Sequence, residues 1–144
     1  MTLYTIGYSG KSAEEFYETL RKAGVRKVID IRLHPSGQLA GFAQQRDLPY
    51  LLDRLVDGCV YEYRLDFAPT PQMLKAYRDG GTWESYMAAF EGLMDERGIA
   101  DGLSPDGFDG ACLLCSEPSH NHCHRGIIAA RMERAWPDCR FTHL

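Results

Sequence analysis

The sequence predicts a single α/β domain built as a three-layer sandwich, in which helices cover both faces of a mostly parallel five-stranded sheet. Two observations predict this fold class. Short apolar, β-rich runs alternate with helical stripes five times along the chain, and its 144 residues suffice for one domain with its own hydrophobic core. Crossovers between parallel strands are expected to be right-handed. The sequence does not determine the strand order, for which we adopt a flavodoxin-like arrangement.

Five strands are predicted where apolar, β-branched or aromatic residues run between turn residues. In chain order they cover residues 3–8, 27–33, 59–65, 111–115 and 140–144. The second strand carries Asp30 and Arg32 among its apolar residues, and the fourth, ACLLC, ends in Cys115.

Five helices are predicted from apolar residues spaced three and four apart. They begin near Ser12, Leu48, Thr70, Thr82 and Cys123. Ser12 and Glu15 have the spacing of a capping box, and the glycine pair at residues 80–81 separates the third helix from the fourth. Two segments lack clear periodicity: residues 34–46 form a long loop with Gly and Pro, and residues 98–110 form a polar connection.

Charge and composition exclude several classes of protein. Lys and Arg number 16 against 20 Asp and Glu, so the net charge of −4 does not favour nucleic acid, although a local basic patch would still bind it. No apolar run approaches the roughly 20 residues of a membrane span, and MTLYTIGYSGK lacks the features of a secretory signal. We therefore expect a cytoplasmic protein with no membrane partner, whose five cysteines are reduced thiols.

Residues 111–125, ACLLCSEPSHNHCHR, hold the highest density of groups that bind metals, act as nucleophiles or transfer protons. In open α/β sheets, ligands bind at the carboxyl ends of the strands. The residues at or just after the ends of the predicted strands are polar or reactive, namely Tyr8, Ser9, Lys11, Arg32, His34, Asp66, Cys115, Glu117 and His143. We therefore expect these side chains to converge on one edge of the sheet.

A reactive thiol is the first interpretation of this stretch. Cys123 falls in the first turn of the last helix, where backbone amides stabilise an anion, and Arg125 adds positive charge nearby. We therefore expect the pKa of the Cys123 thiol to be lowered. Cys115, at the end of an apolar strand, is either the nucleophile itself or a buried, inert cysteine.

Metal binding is the second interpretation. The residues that could bind zinc are Cys115, His120, His122, Cys123 and His124. A Cys2His or Cys2His2 site centred on Cys115 and Cys123 fits this set, but no second ligand pair has zinc-finger spacing. Cys112 and Cys115 have C-x-x-C spacing, yet within a strand they point to opposite faces, so we reject redox chemistry for that pair. We accordingly assign no metal and no cofactor.

The turn after the first strand and its basic neighbours favour an anionic ligand. Its sequence, GYSGKS, meets neither the P-loop motif nor the nucleophile elbow, but a turn of small residues at a helix start can hold an anion through backbone amides. Lys11, Arg32 and Arg125 would bind a phosphate or carboxylate through charge-assisted hydrogen bonds. The alternative is that an arginine pairs with Asp30 or Glu117.

Four short motifs in this order, TIGYS, DIRLHP, LLCSE and CHR, resemble the family called "domain of unknown function 488". The resemblance extends over essentially the whole chain, to the closing FTHL. It implies the α/β fold and site but no established reaction. The positions that the resemblance carries over are Gly7, Ser9, Asp30, Arg32, Cys115, Glu117, Cys123, His124, Arg125 and His143. The family usually has histidine at the position of Tyr8, and His120 and His122 lie outside its pattern.

These observations lead to three hypotheses. The first is an enzyme acting on a small anionic, nucleotide-like substrate, in which Cys123 or Cys115 is the nucleophile. The supporting roles are proton transfer by His124 or His143, orientation or acid–base catalysis by Glu117, and substrate binding by Ser9, Lys11, Asp30, Arg32 and Arg125. The second is a metal-dependent hydrolase or metal-stabilised fold, and the third is a non-catalytic module that binds nucleotides or nucleic acid. The sequence does not determine the oligomeric state.

Overall fold

The computed structural model describes the whole chain from Met1 to Leu144 as one sheet with helices on both faces. The strands are β1 (Thr2–Gly7), β2 (Lys27–Asp30), β3 (Val60–Tyr63), β4 (Ala111–Cys115) and β5 (Arg140–His143). The helices are α1 (Ala13–Ala23), α2 (Leu48–Leu55), α3 (Pro71–Arg78), α4 (Trp83–Arg97) and α5 (His124–Ala135). This architecture confirms the predicted α/β class.

All five strands are parallel, and their order across the sheet is β3-β2-β4-β1-β5. The adopted flavodoxin-like order is therefore wrong, because it places the first strand between the second and third, whereas β1 here lies between β4 and β5. The burial of the strands agrees with the observed order. Every residue of β4 is buried, which suits the centre, whereas β3 and β5 are partly exposed and form the edges.

Two hydrophobic cores lie on opposite faces of the sheet. Helices α1 and α2 pack on the face that includes Cys112 and Leu114, whereas α4 and α5 pack on the face that includes Leu113 and Cys115. The structure thus confirms that the two cysteines of the C-x-x-C pair face opposite sides. Because the chain leaves β1 and β2 toward one face and β4 toward the other, a cleft opens between neighbouring strand ends.

The helix boundaries follow the predicted capping chemistry. Side chains of Ser12, Thr70 and Thr82 accept hydrogen bonds from backbone N–H groups in the first turns of α1, α3 and α4. The segment 34–46, predicted as a loop, contains 3-10 turns over Gln38–Ala43. Cys123 is the N-cap of α5 rather than a residue of its first turn.

No helix of the chain combines the length and the apolar character needed to cross a membrane.

Gly7 allows β1 and the loop after β4 to approach each other closely. A Cβ atom at this position would lie 1.6 Å from the carbonyl oxygen of Glu117 and 3.1 Å from Nη1 of Arg125. In addition, the backbone N–H of Ser9 donates to the carbonyl oxygen of Ser116 at 3.0 Å. The ends of the two central strands are therefore held together by backbone contacts that leave no room for a side chain.

We expect Gly7→Ala to lower the free energy of unfolding by roughly 1–3 kcal/mol or more, because the added methyl group forces the two loops apart. Gly92→Ala is the matched control, since no neighbouring atom lies within 4 Å of a Cβ at this position inside α4. That change should raise stability by up to about 1 kcal/mol. Denaturant unfolding of both variants measures the difference, and wild-type stability in Gly7→Ala would contradict the close approach.

Candidate functional site

A cleft of about 670 Å³ opens at the carboxyl edge of the sheet. Its walls come from the segments after β1, β2 and β4 and from helices α3 and α4. The polar, reactive and aromatic residues that line it include Tyr8, Ser9, Arg32, His34, Tyr77, Arg78, Tyr86, Cys115, Glu117, His122, Cys123 and His124. This volume is in the range of small-molecule sites, about 300–1,000 Å³.

The floor of the cleft contains two cysteines in direct contact. The thiol of Cys123 donates a hydrogen bond to the sulfur of Cys115, with 3.2 Å between the sulfur atoms, and both side chains are buried. Both are free thiols. β4 places Cys115 at its last position, and the N-cap of α5 places Cys123 opposite it.

This contact separates the pKa values of the two thiols. The hydrogen bond from Cys123 lowers the pKa of Cys115 despite its burial, and the backbone N–H groups of Ser116 and Glu117 and the charge of Arg125 act in the same direction. The same hydrogen bond, followed by burial, raises the pKa of Cys123. The predicted lowering of the Cys123 pKa is therefore wrong in direction. Cys123 makes no capping hydrogen bond to the helix amides and instead acts as the donor to Cys115.

His124 lies beside the two sulfurs in a fixed orientation. Its Nε2 atom is 2.8 Å from the carbonyl oxygen of Ile31, which can only accept a hydrogen bond, so the proton of the neutral ring is on Nε2. The unprotonated Nδ1 then lies 3.7 Å from Sγ of Cys115. The ring therefore directs a lone pair at the sulfur with the lower pKa.

Arg125 is a buried cation without a carboxylate partner. Its side chain is only 1% exposed, and it forms no ion pair with Asp or Glu. Nη1 donates to the carbonyl oxygen of Glu117 at 2.7 Å and to Sγ of Cys123 at 3.5 Å, while Nε donates to the hydroxyl of Thr5 at 3.3 Å. Because buried charges are costly unless compensated, a thiolate on the cysteine pair is the nearest source of the missing negative charge.

Arg32 and Asp30 form an ion pair. Such a pair was the alternative to an anion-binding role for the arginines. Nε and Nη2 of Arg32 donate to the two carboxylate oxygens of Asp30 at 2.8 and 2.7 Å, and both residues are buried. The hydroxyl of Tyr61 also donates to Asp30. Arg32 lines the cleft, and its remaining nitrogen, Nη1, has no hydrogen-bond partner, whereas Asp30 does not line the cleft.

Four predicted site residues do not line the cleft, namely Asp30, Arg125, Lys11 and His143. Nζ of Lys11 donates to the carbonyl oxygen of Gly7 at 2.8 Å, and burial, followed by the charge of Arg125, lowers its pKa. His143 stacks on His120 with 3.6 Å between ring centroids, and its Nδ1 lies 2.7 Å from the hydroxyl of Thr5. His143 therefore reaches the cysteine pair only indirectly, through Thr5 and Arg125.

The structure also adds residues that the sequence did not single out. Thr5, a buried polar residue within an apolar strand, contacts both Arg125 and His143. Tyr77 and Tyr86 form an aromatic wall with ring centroids 5.3 Å apart. Each tyrosine lies on the apolar face of its own helix, and this position predicts packing in the core. Only the structure shows that the two rings also line the cleft.

Three side chains could hold a metal ion. The sulfurs of Cys115 and Cys123 and a ring nitrogen of His124 lie within 4.8 Å of one another. In a tetrahedral zinc site two sulfurs at about 2.3 Å from the ion would be about 3.8 Å apart. The observed 3.2 Å separation would therefore have to widen.

The comparison with protein families accounts for most of the chain. The family "Domain of unknown function DUF488" matches residues 12–132. The chain belongs to this family. The matched segment includes Arg32, Cys115, Glu117 and the 123–125 motif, while Ser9 and His143 lie outside it. The search of curated proteins and the search of solved structures each find no match.

We expect the ultraviolet absorbance of thiolate to appear first at a pH below the free-thiol pKa of about 8.5, and this first step to be absent from Cys115→Ser. The other thiols do not interfere, because burial raises the pKa of Cys59 to about 11 and also raises the pKa values of Cys112 and Cys139. Cys139→Ser is the control and should keep the step. A step lost from Cys123→Ser but retained in Cys115→Ser would reverse the assignment.

The ionisation of Cys115 also makes the stability of the fold depend on pH. The pKa of Cys115 is lower in the folded protein than in an unfolded chain, so its thiolate stabilises the fold at a pH above the unfolded pKa. This contribution is lost as the pH falls through the folded pKa.

Proposed function

We propose that this protein is an enzyme that uses the Cys115 thiolate as a nucleophile on a small anionic substrate held in the cleft. The observation that carries the proposal is the buried guanidinium of Arg125, which has no carboxylate partner and lies against the cysteine pair. A neutral pair of thiols would leave this charge uncompensated, whereas one thiolate balances it.

The neighbouring groups suit the steps of nucleophilic catalysis. The Cys123 thiol stabilises the Cys115 thiolate by hydrogen bonding and becomes a proton source when that sulfur bonds to the substrate. Nδ1 of His124 accepts a proton beside the same sulfur. The Glu117 side chain is exposed at the cleft, where it is available to orient a substrate or a water molecule.

The walls of the cleft favour an anionic substrate with a planar group. Nη1 of Arg32 retains an unused donor, and Arg78 lies on the same cleft. Both suit a phosphate or carboxylate. Tyr77 and Tyr86 offer aromatic surface for stacking. A nucleotide-like molecule combines both properties.

A nucleoside monophosphate carrying a chloroacetamide group tests both parts of this proposal. We expect it to alkylate Cys115 at one site per chain, at least about tenfold faster than simple chloroacetamide, because binding places the electrophile next to the sulfur. Unmodified nucleoside monophosphate should slow the reaction. The measurement is peptide mapping by mass spectrometry over time.

Two variants complete the experiment. Cys115→Ser should abolish the labelling, and Cys139→Ser, a buried cysteine outside the cleft, should react like wild type. Equal rates for the nucleotide reagent and simple chloroacetamide would contradict the substrate class. Preferential labelling of Cys123 would contradict the choice of nucleophile.

Metal binding is a second candidate function, favoured by the convergence of Cys115, Cys123 and His124. His124 has the expected supporting contact, because metal-binding histidines commonly donate their other N–H to a carbonyl oxygen. The balance of charges around Arg125 argues against a metal ion at this site. A divalent ion with two thiolates is neutral and would leave Arg125 unbalanced, whereas a single thiolate without metal balances it.

We therefore expect protein purified without chelators or metal-affinity resin to contain much less than one zinc ion per chain by elemental analysis. His120→Ala serves as a control for adventitious binding at the neighbouring histidines, since His120 is not part of the three-residue cluster. Stoichiometric zinc that persists in His120→Ala and is lost from Cys115→Ala would favour the metal site instead.

A further inference from the structure

The two cysteines of the cleft lie close enough together to form a disulfide bond, which a single nucleophile does not require. Their sulfur atoms are 3.2 Å apart and both are reduced. A disulfide bond has a length of about 2.05 Å, so closure requires the sulfurs to approach by only about 1.2 Å. Cys115 and Cys123 are the one pair of thiols in the chain joined by a hydrogen bond.

The backbone between the two cysteines permits this approach. Most of the residues from Ser116 to His122 are exposed, and Cys123 precedes the first helical residue of α5. The helix itself is held separately, by His124 on the carbonyl oxygen of Ile31 and by Arg125 on that of Glu117. Cys123 can therefore adjust without unwinding α5.

We propose that Cys115 and Cys123 are a hydroperoxide-sensitive dithiol pair, in which Cys115 is oxidised first and Cys123 resolves it as an intramolecular disulfide. The inference rests on the Cys115 thiolate of the proposed function but adds a requirement for the second sulfur. It differs from the rejected redox reading of the C-x-x-C pair, because Cys112 faces the opposite side of the sheet.

The reaction balances with a hydroperoxide as the oxidant. The Cys115 thiolate attacks the terminal oxygen of the hydroperoxide, forming an S–O bond and breaking the O–O bond. The alkoxide or hydroxide that leaves takes up a proton, and Cys115 becomes a sulfenic acid. Cys123 then attacks this sulfur, the S–S bond forms, and hydroxide leaves with the Cys123 proton as water.

Disulfide formation would switch off the site reversibly. The nucleophilic thiolate disappears, and with it the negative charge next to Arg125. An external dithiol returns two electrons and two protons, restores both cysteines and is itself oxidised to a disulfide.

Treatment of the reduced protein with one equivalent of hydrogen peroxide tests the inference. We expect wild type to lose two titratable thiols and two hydrogen masses, and peptide mapping to find a Cys115–Cys123 bond that dithiothreitol reverses. Cys59→Ala, which removes a buried cysteine remote from the cleft, should behave identically. In Cys123→Ser, dimedone should trap a sulfenic acid at Cys115, and no intramolecular disulfide should form.

Three outcomes would overturn the inference: a bond that joins Cys115 to Cys112, direct over-oxidation of Cys115 in wild type without disulfide, or no oxidation of Cys115 at all. The nucleotide reagent separates this inference from the proposed function. Labelling of Cys115 without disulfide formation would reject the dithiol pair alone. A disulfide without nucleotide-directed labelling would reject the proposed function alone.

Discussion

The site is organised around a buried positive charge. Arg125 reaches the hydroxyl of Thr5 on β1, the carbonyl oxygen of Glu117 after β4 and the sulfur of Cys123 at the start of its own helix. Each contact supplies only a neutral or partial negative group. The guanidinium therefore holds three segments together. Its positive charge also favours a negative charge on the neighbouring cysteine pair.

His124, the residue before Arg125, makes a corresponding contact on the other side of the central strand β4. Successive residues of a helix point about 100° apart, so His124 and Arg125 diverge from the start of α5. His124 contacts the end of β2 and Arg125 contacts β1, while Cys115 at the end of β4 lies between these strands. The first turn of α5 thus contacts three neighbouring strands.

The sequence predicted the elements well, because local chemistry determines them: the Ser12 cap and the apolar ACLLC strand act over a few residues. The prediction that ACLLC is a strand ending at Cys115 is confirmed, and Cys115, Glu117, Cys123 and His124 line the cleft at its carboxyl end. The direction of the Cys123 pKa was not predictable, because it is set first by a hydrogen bond to Cys115 on a different element and then by burial. The strand order likewise depends on pairing between segments that are distant in the sequence. Only the complete burial of β4 indicates its central position.

The interleaved strand order has a consequence for synthesis of the chain. β1 pairs only with β4 and β5, so this first strand has no partner until residues beyond 110 have been made. Before that point, β2 and β3 are the only strands able to pair with each other. β4 pairs with both β1 and β2, so the segment that ends in Cys115 joins the first strand to the pair of β2 and β3, and the sheet and its cleft are complete only once this segment has been made.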